Sequence, residues 1–267
     1  MDGRAGGPVR GHRRRDRLSV GTPELALLCL PCAGASATMY LRWRRLVPQW
    51  LRIVPVELPG RGARMGEDFV EDFDALVARL CTEQAAALQG RFALFGHSMG
   101  ALLAWGIARR LHDERRALPR ALLVSGSAAP SCRDPDRFAD RNDDRALIAD
   151  LRRQGGTPEE AFASEELMRI TLDVLAADYR ICESFGQRER PPLPLPIHVF
   201  AGRDDDIDAA RVEAWSREAT HAVTLDWFDG GHFFLRHGEG AFLEALSRRI
   251  APGAVVPGGR HAAPSLV

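Results

Sequence analysis

Phe92-Ala93-Leu94-Phe95-Gly96-His97-Ser98-Met99-Gly100-Ala101 passes from a short apolar run, through a serine with a glycine two residues to either side, into a segment of helical spacing. The run Phe92 to Phe95 suits a buried strand, and Leu102, Leu103, Ile107 and Leu111 recur with the period of one helix face. Between them, Gly96-His97-Ser98-Met99-Gly100 has the form G-x-S-x-G, a sharp, strained turn that lifts a serine hydroxyl above a sheet edge. Small residues flank such a serine because strand and helix must approach closely there.

Outward from this turn, short apolar runs alternate with longer helical segments, the pattern of an α/β protein with a mostly parallel central sheet and helices on both faces. The predicted strands are Leu25 to Leu30, Ile53 to Leu58, Phe92 to Phe95, Ala121 to Val124, Ile197 to Ala201 and Val223 to Phe228. Phe73, Leu76, Val77, Leu80, Ala87 and Leu88 follow helical spacing between the second and third. From about Ser131 to Phe185 no strand is predicted; Ala146 to Arg153 and Glu165 to Cys182 read as helices joined by Gly155-Gly156-Thr157-Pro158. A helical insert of this length between two strands predicts a lid over about 131–187. The expected organisation is a disordered basic leader over 1–22, one domain over 23–251, and a disordered tail rich in Gly, Pro and Ala over 252–267.

A serine hydroxyl is a weak nucleophile, so Ser98 needs a histidine base and an acid to orient that base, in the chain order Ser, Asp or Glu, His. Gly230-Gly231-His232-Phe233-Phe234 follows the last predicted strand, and its glycines free the loop to bring His232 toward the turn. His221, His237 and His261 lie in polar or helical settings that suit solvated histidines, and His97 is expected to shape the turn or line the pocket. The acid should follow the penultimate strand, where Gly202-Arg203-Asp204-Asp205-Asp206 offers three aspartates. Asp205 is preferred, with Asp204 second, and Asp208 suits the cap of the next helix. An oxyanion needs two donors: the backbone N–H of Met99 and one from the loop Pro31-Cys32-Ala33-Gly34-Ala35-Ser36, with Ala33 preferred and Cys32 the alternative.

Composition narrows the functions. Of 267 residues, 45% are hydrophobic and 27% charged, and 36 basic residues balance 36 acidic ones, which excludes a dedicated nucleic-acid binder. All 36 basic residues are arginine, so lysine-dependent Schiff-base or phosphate-loop chemistry is absent. Cys29, Cys32, Cys81, Cys132 and Cys182 form an odd, scattered set that predicts free thiols in a reducing cytoplasm; Cys29-Leu-Pro-Cys32 lacks a second ligand pair for zinc. The longest apolar run, Leu25 to Leu30, is too short for a membrane span, and the start Arg4 to Arg17 has no signal-peptide order.

The chain resembles the type II thioesterases that accompany polyketide synthases and nonribosomal peptide synthetases, within the α/β-hydrolases. The resemblance covers roughly Leu25 to Ile250. It is carried by Pro31 to Ser36, Val56-Glu57-Leu58-Pro59-Gly60-Arg61, Gly96 to Gly100, Leu151 to Pro158, Ala176-Ala177-Asp178-Tyr179-Arg180 and Gly230 to Leu235. It implies an α/β-hydrolase fold with a helical lid. It also implies hydrolysis of stalled or aberrant acyl groups from the phosphopantetheine arm of an acyl or peptidyl carrier protein, with Ser98 as nucleophile, His232 as base, Asp205 as acid, and Met99 and Ala33 as oxyanion donors. No metal or organic cofactor is implied. Family members usually carry His or Tyr where Cys32 stands, and Pro where Asp206 stands. Arginines around Arg61, Arg64 and Arg180 are candidates for contact with the carrier or the phosphate of its arm. A general carboxylesterase, a chain-releasing unit of the kind usually fused to a synthase, and a non-catalytic carrier-binding scaffold are the competing expectations.

Overall fold

Six consecutive residues of β1 (Leu25–Leu30) are buried, and their alternation divides them between two layers. Ala26, Leu28 and Leu30 face one apolar cluster, while Leu25, Leu27 and Cys29 face the other. A strand apolar on both faces belongs inside a parallel sheet covered on both sides. The computed structural model describes residues 25–252 apart from 135, 139, 140, 142, 158 and 187–189. The expected leader, the expected tail from residue 253 and Pro158 of the predicted turn lie outside the described residues.

The sheet is completed by β2 (Leu51–Pro55), β3 (Phe92–His97), β4 (Leu122–Ser125), β5 (Ile197–Gly202) and β6 (Val223–Phe228), all parallel in the order β2-β1-β3-β4-β5-β6. β2 starts two residues before the predicted strand and stops at Pro55, the partner of Cys29, with Val56 still giving its N–H to Cys29 O at 3.0 Å. On one face lie α1 (Phe73–Glu83) and α2 (Met99–Asp113), which carry Leu76, Leu80, Leu103 and Ile107 into the core. Asp72 caps α1 by accepting from Ala75 N at 2.8 Å.

Between β4 and β5 the described residues contain no sheet strand, only α3 (Asp144–Gln154), α4 (Glu159–Phe162), α5 (Glu165–Ser184) and a short 3-10 turn. Asp143 caps α3 and Ser164 caps α5, and Gly155 ends α3 at a φ of 71°, a left-handed position that glycine fills without strain. After β5 come α6 (Ala209–Glu213), then β6, α7 (Phe234–His237) and α8 (Glu239–Ile250). Phe242 and Leu246 of α8 pack with Tyr40, Trp43 and Phe95 on the second face.

β1 and β3 are neighbours, and from them the chain order runs outward in opposite directions. In open parallel sheets, crevices form at the carboxyl ends of the strands on either side of such a switch point. Leu30 pairs with Gly96 there, so the loop after β1 lies beside the serine turn after β3.

His198 in β5 is buried, with Nδ1 2.8 Å from Thr224 Oγ1. Its burial, with Arg249 nearby and only partly offset by Asp226, lowers its pKa from 6.5 to about 4. The unfolded chain therefore binds the extra proton between these values, and stability falls as pH drops through that window. At about 1.4 kcal/mol per pH unit the full loss is about 3 kcal/mol. Urea denaturation at pH 7.5 and pH 4.5 should show a smaller loss in His198→Gln than in the wild type; equal losses would remove His198 as the cause.

Candidate active site

Ser98 stands at φ 55° and ψ −118°, a conformation a residue with a side chain adopts only where its surroundings impose it. Its N–H donates to Ser125 O at 2.8 Å, tying the turn to the end of β4. A methyl on Gly96 would lie 1.9 Å from Gly100 O, and one on Gly100 would lie 2.2 Å from Leu30 O. Both glycines of the motif are thus demanded by close approach, the first of strand to helix and the second of helix to the loop after β1. The Ser98 side chain is partly accessible and lines a cavity shared with His232.

His232 follows β6, and its Nδ1 donates to Asp205, 2.9 Å from Oδ2 and 3.2 Å from Oδ1. Both side chains are buried, at 7% and 4% exposure. The two loops nest because Gly202 has no side chain: a Cβ there would lie 2.5 Å from the carbonyl oxygens of Gly230 and Gly231. Of the three aspartates, Asp205 meets the histidine, exposed Asp204 gives its N–H to Gly230 O at 3.0 Å, and Asp206 pairs with Arg137 at 2.9 Å. Asp208 caps α6 by accepting from Ala210 N at 2.9 Å. Exposed His221 contacts Thr220, and exposed His237 ends α7; neither lines a cavity with Ser98. His261 lies outside the described residues.

His97 is fully buried beneath the pair, its ring centroid 4.9 Å from that of His232. Its Nδ1 shares a hydrogen bond with Ser125 Oγ at 3.1 Å, and Gly126, at φ 56°, leaves room for the ring where a Cβ would meet it at 2.6 Å. Burial first, then the proximity of His232 and Arg236, hold His97 well below its ordinary value. It is a neutral wedge under the second imidazole.

Of the N–H groups in the loop after β1, that of Gly34 goes to Asp178 and that of Ala35 to Cys32 O, and those of Cys32 and Ala33 are the ones that border the cavity shared with Ser98. Met99 supplies the first N–H of α2, a position without an intrahelical acceptor. Cys32 is buried, and burial pushes its thiol up to about 12, so it serves as a small apolar wall and not as a thiolate. The cavity of about 50 Å³ beside Ser98 is bounded on the side of the helical segment between β4 and β5 by Phe138, Gln154, Tyr179 and Cys182. Asp150 ties these helices together, accepting from Tyr179 Oη and from Gln154 Nε2. A second, open cleft of about 350 Å³ shares Cys32, Ala33 and Gln154 with the first and runs past Ser36, Met39, Phe233 and Arg236. Asp205, Asp206 and His232 bring oxygen and nitrogen atoms within 4.8 Å of one another, but these atoms are already engaged in the pairs with His232 Nδ1 and Arg137.

The arginines expected at the rim have other duties. Arg61 is only 4% exposed and pairs with Asp178; Arg64 binds Glu67 and Glu83, and Arg180 binds Glu71. Neither this buried pair nor the Gly126 pocket under His97 was foreseen from the sequence.

A parallel sheet that carries a serine on a strained strand-to-helix turn, with a histidine in the same cavity held by an aspartate from the neighbouring strand end, is the architecture of the α/β-hydrolases. Within them the chain belongs to the thioesterase family: the Thioesterase domain model matches residues 26–251. It is a hydrolase acting on thioesters. Over 211 residues it is 36% identical to Thioesterase PikA5 of Streptomyces venezuelae, covering 78% of this chain and 75% of that protein. RedJ, the thioesterase from the prodiginine biosynthetic pathway of Streptomyces coelicolor, matches with a TM-score of 0.78 at 32% identity, over 87% of this chain and 95% of its own. BorB, the type II thioesterase from the borrelidin biosynthetic cluster, matches at 0.76 and 38% identity, over 84% and 91%. No helix among the described residues is long and apolar enough to cross a membrane.

Proposed function

We propose that this enzyme is an editing thioesterase, clearing stalled or wrongly primed acyl groups from the phosphopantetheine arm of acyl or peptidyl carrier proteins in polyketide or nonribosomal peptide synthesis. The observation that carries the reading is the hydrogen-bonded Asp205–His232 pair in the same cavity as Ser98 on its strained turn. Ser98 Oγ attacks the thioester carbonyl carbon while His232 takes its proton. The C–S bond breaks, His232 returns the proton to the departing thiol, and the acyl group stays on Ser98. Water, deprotonated by the same histidine, then attacks this ester; the bond from the acyl carbon to Ser98 Oγ breaks, His232 returns the proton to Oγ, and the acid leaves. The N–H groups of Met99 and Ala33 hold the oxyanion in both steps.

The two cavities divide the substrate at the reacting carbon. The narrower one suits an acyl group of a few carbons, and the wider cleft, with Arg236 at its side, suits the polar arm and its phosphate. The thioesterase of the prodiginine pathway, the type II thioesterase of the borrelidin cluster, and YbtT, the type II thioesterase of an NRPS/PKS pathway, support the synthase setting. All five cysteines are free, which supports a reducing cytoplasm.

The test compares acid release from acetyl groups loaded on a carrier protein with release from a simple acetyl oxygen ester. The expected result is Ser98-dependent preference for the carrier thioester. Preference for the oxygen ester would leave a general esterase, and turnover of neither would leave a binding scaffold.

A further inference from the structure

Two sequence stretches carry charged residues that take no part in this chemistry: Val56 to Arg61, and Ala176 to Arg180 on α5. They meet at the loop after β1. The Arg61 guanidinium binds Asp178 through two parallel hydrogen bonds, Nη1 to Oδ2 at 2.5 Å and Nη2 to Oδ1 at 2.6 Å, and both side chains are buried. Each partner also reaches the loop itself. Asp178 Oδ2 accepts from Gly34 N at 2.8 Å, and Arg61 Nη1 donates to Ala35 O at 3.3 Å. Gly34 sits at φ 75°, and a Cβ there would lie 3.3 Å from Leu175 Cδ1, one turn before Asp178 on the same helix. Glu57, from the first stretch, accepts from Ala37 N at 3.0 Å just beyond the loop.

We infer that the Arg61–Asp178 pair positions the oxyanion loop, gripping Gly34 and Ala35 from the lid helix so that the N–H of the preceding Ala33 stays aimed at the reacting carbonyl. This inference rests on the reading of Ser98 as nucleophile.

Two observations favour this role over simple stabilisation. Buried ion pairs are poor sources of net stability, because taking both charges out of water offsets their attraction. Here the cost is larger still, since Arg61 Nε is buried without a partner among the described residues. The second observation is placement. The pair joins three segments distant in sequence, and both of its contacts outside itself fall on the two residues that follow the donor. A pair kept only to hold lid to body has no need to meet that loop twice. Holding the loop through a residue of α5 also means that the donor is aligned only while this part of the lid is docked.

The test uses the acetyl thioester of N-acetylcysteamine, which needs no carrier, with Ser98→Ala as control. Two variants are compared with the wild type: Asp178→Asn, and Arg61→Met combined with Asp178→Leu, which replaces the pair by apolar groups of similar length. The expected result is a fall in kcat of about a hundredfold with KM changed by less than about threefold, since an oxyanion interaction acts mainly in the transition state. Affinity for methylboronic acid, which forms a tetrahedral adduct on a catalytic serine, should fall as well. The double variant, with no buried charge left unpaired, should keep a Tm close to the wild type and still be slow. Wild-type kcat in either folded variant would overturn the positioning role, leaving the pair purely structural. Wild-type turnover that persists in Ser98→Ala is a different failure: it would overturn the reading of Ser98 and the inference with it.

Discussion

Replacing His232 with alanine should lower thioester turnover about a million-fold, the scale seen when a serine-based triad loses its base. His232 is the only histidine that lines the cavity with Ser98 among the described residues, and its Nδ1 is engaged by Asp205, which leaves Nε2 to take the proton. His97 cannot substitute, because it is fully buried beneath His232 and held neutral. Ser98→Ala should cost about as much, and the double variant should be no worse than either single one, because the two groups act in one step. Steady-state rates on a carrier-bound acetyl thioester check this. Additive losses, or a fall of less than about tenfold in His232→Ala, would take His232 out of the base role.

Asp205→Asn should lower kcat about ten-thousandfold, whereas Asp204→Asn should leave it within about twofold. The asparagine fits the same space, but it can turn an N–H toward His232 Nδ1. That selects the tautomer with its proton on Nε2, unable to accept from Ser98. Asp204 is exposed and touches the second loop only through its backbone. The two variants thus separate neighbours of identical chemistry by their side of one turn. Equal losses in both, or a loss confined to Asp204→Asn, would contradict the geometry.

The turn around Ser98 was legible in the sequence because its steric demands are local: a Cβ at Gly96 or Gly100 would strike backbone, so glycine is required at both positions. The alternating apolar runs announced the parallel sheet for a similar reason, since strands buried on both faces leave no room for polar residues. Among Asp204, Asp205 and Asp206 the sequence supported a preference for Asp205 but not the geometry behind it. Three identical side chains differ only in the direction each leaves the turn, and that direction is set by the nesting of Gly202 against Gly230 and Gly231. Arg61 and Asp178 were harder still. They are 117 residues apart, and charged residues default to the surface in any sequence reading, so both stretches suggested a rim where the fold has a buried clamp. The strand through Ile53 was placed too late because Val56 and Leu58 continue the apolar pattern after the ladder ends at Pro55.

Covalent catalysis by Ser98 is tested by mixing the enzyme with an acetyl group loaded on a carrier protein, quenching within the first turnover, and weighing the intact protein and its peptides. A transient acetyl adduct is expected on the peptide containing Ser98, appearing as the carrier thiol is freed and decaying as acetate is released, and absent in Ser98→Ala. Acetate released at the wild-type rate by Ser98→Ala, or freed carrier thiol with the acetyl group on another residue, would contradict it.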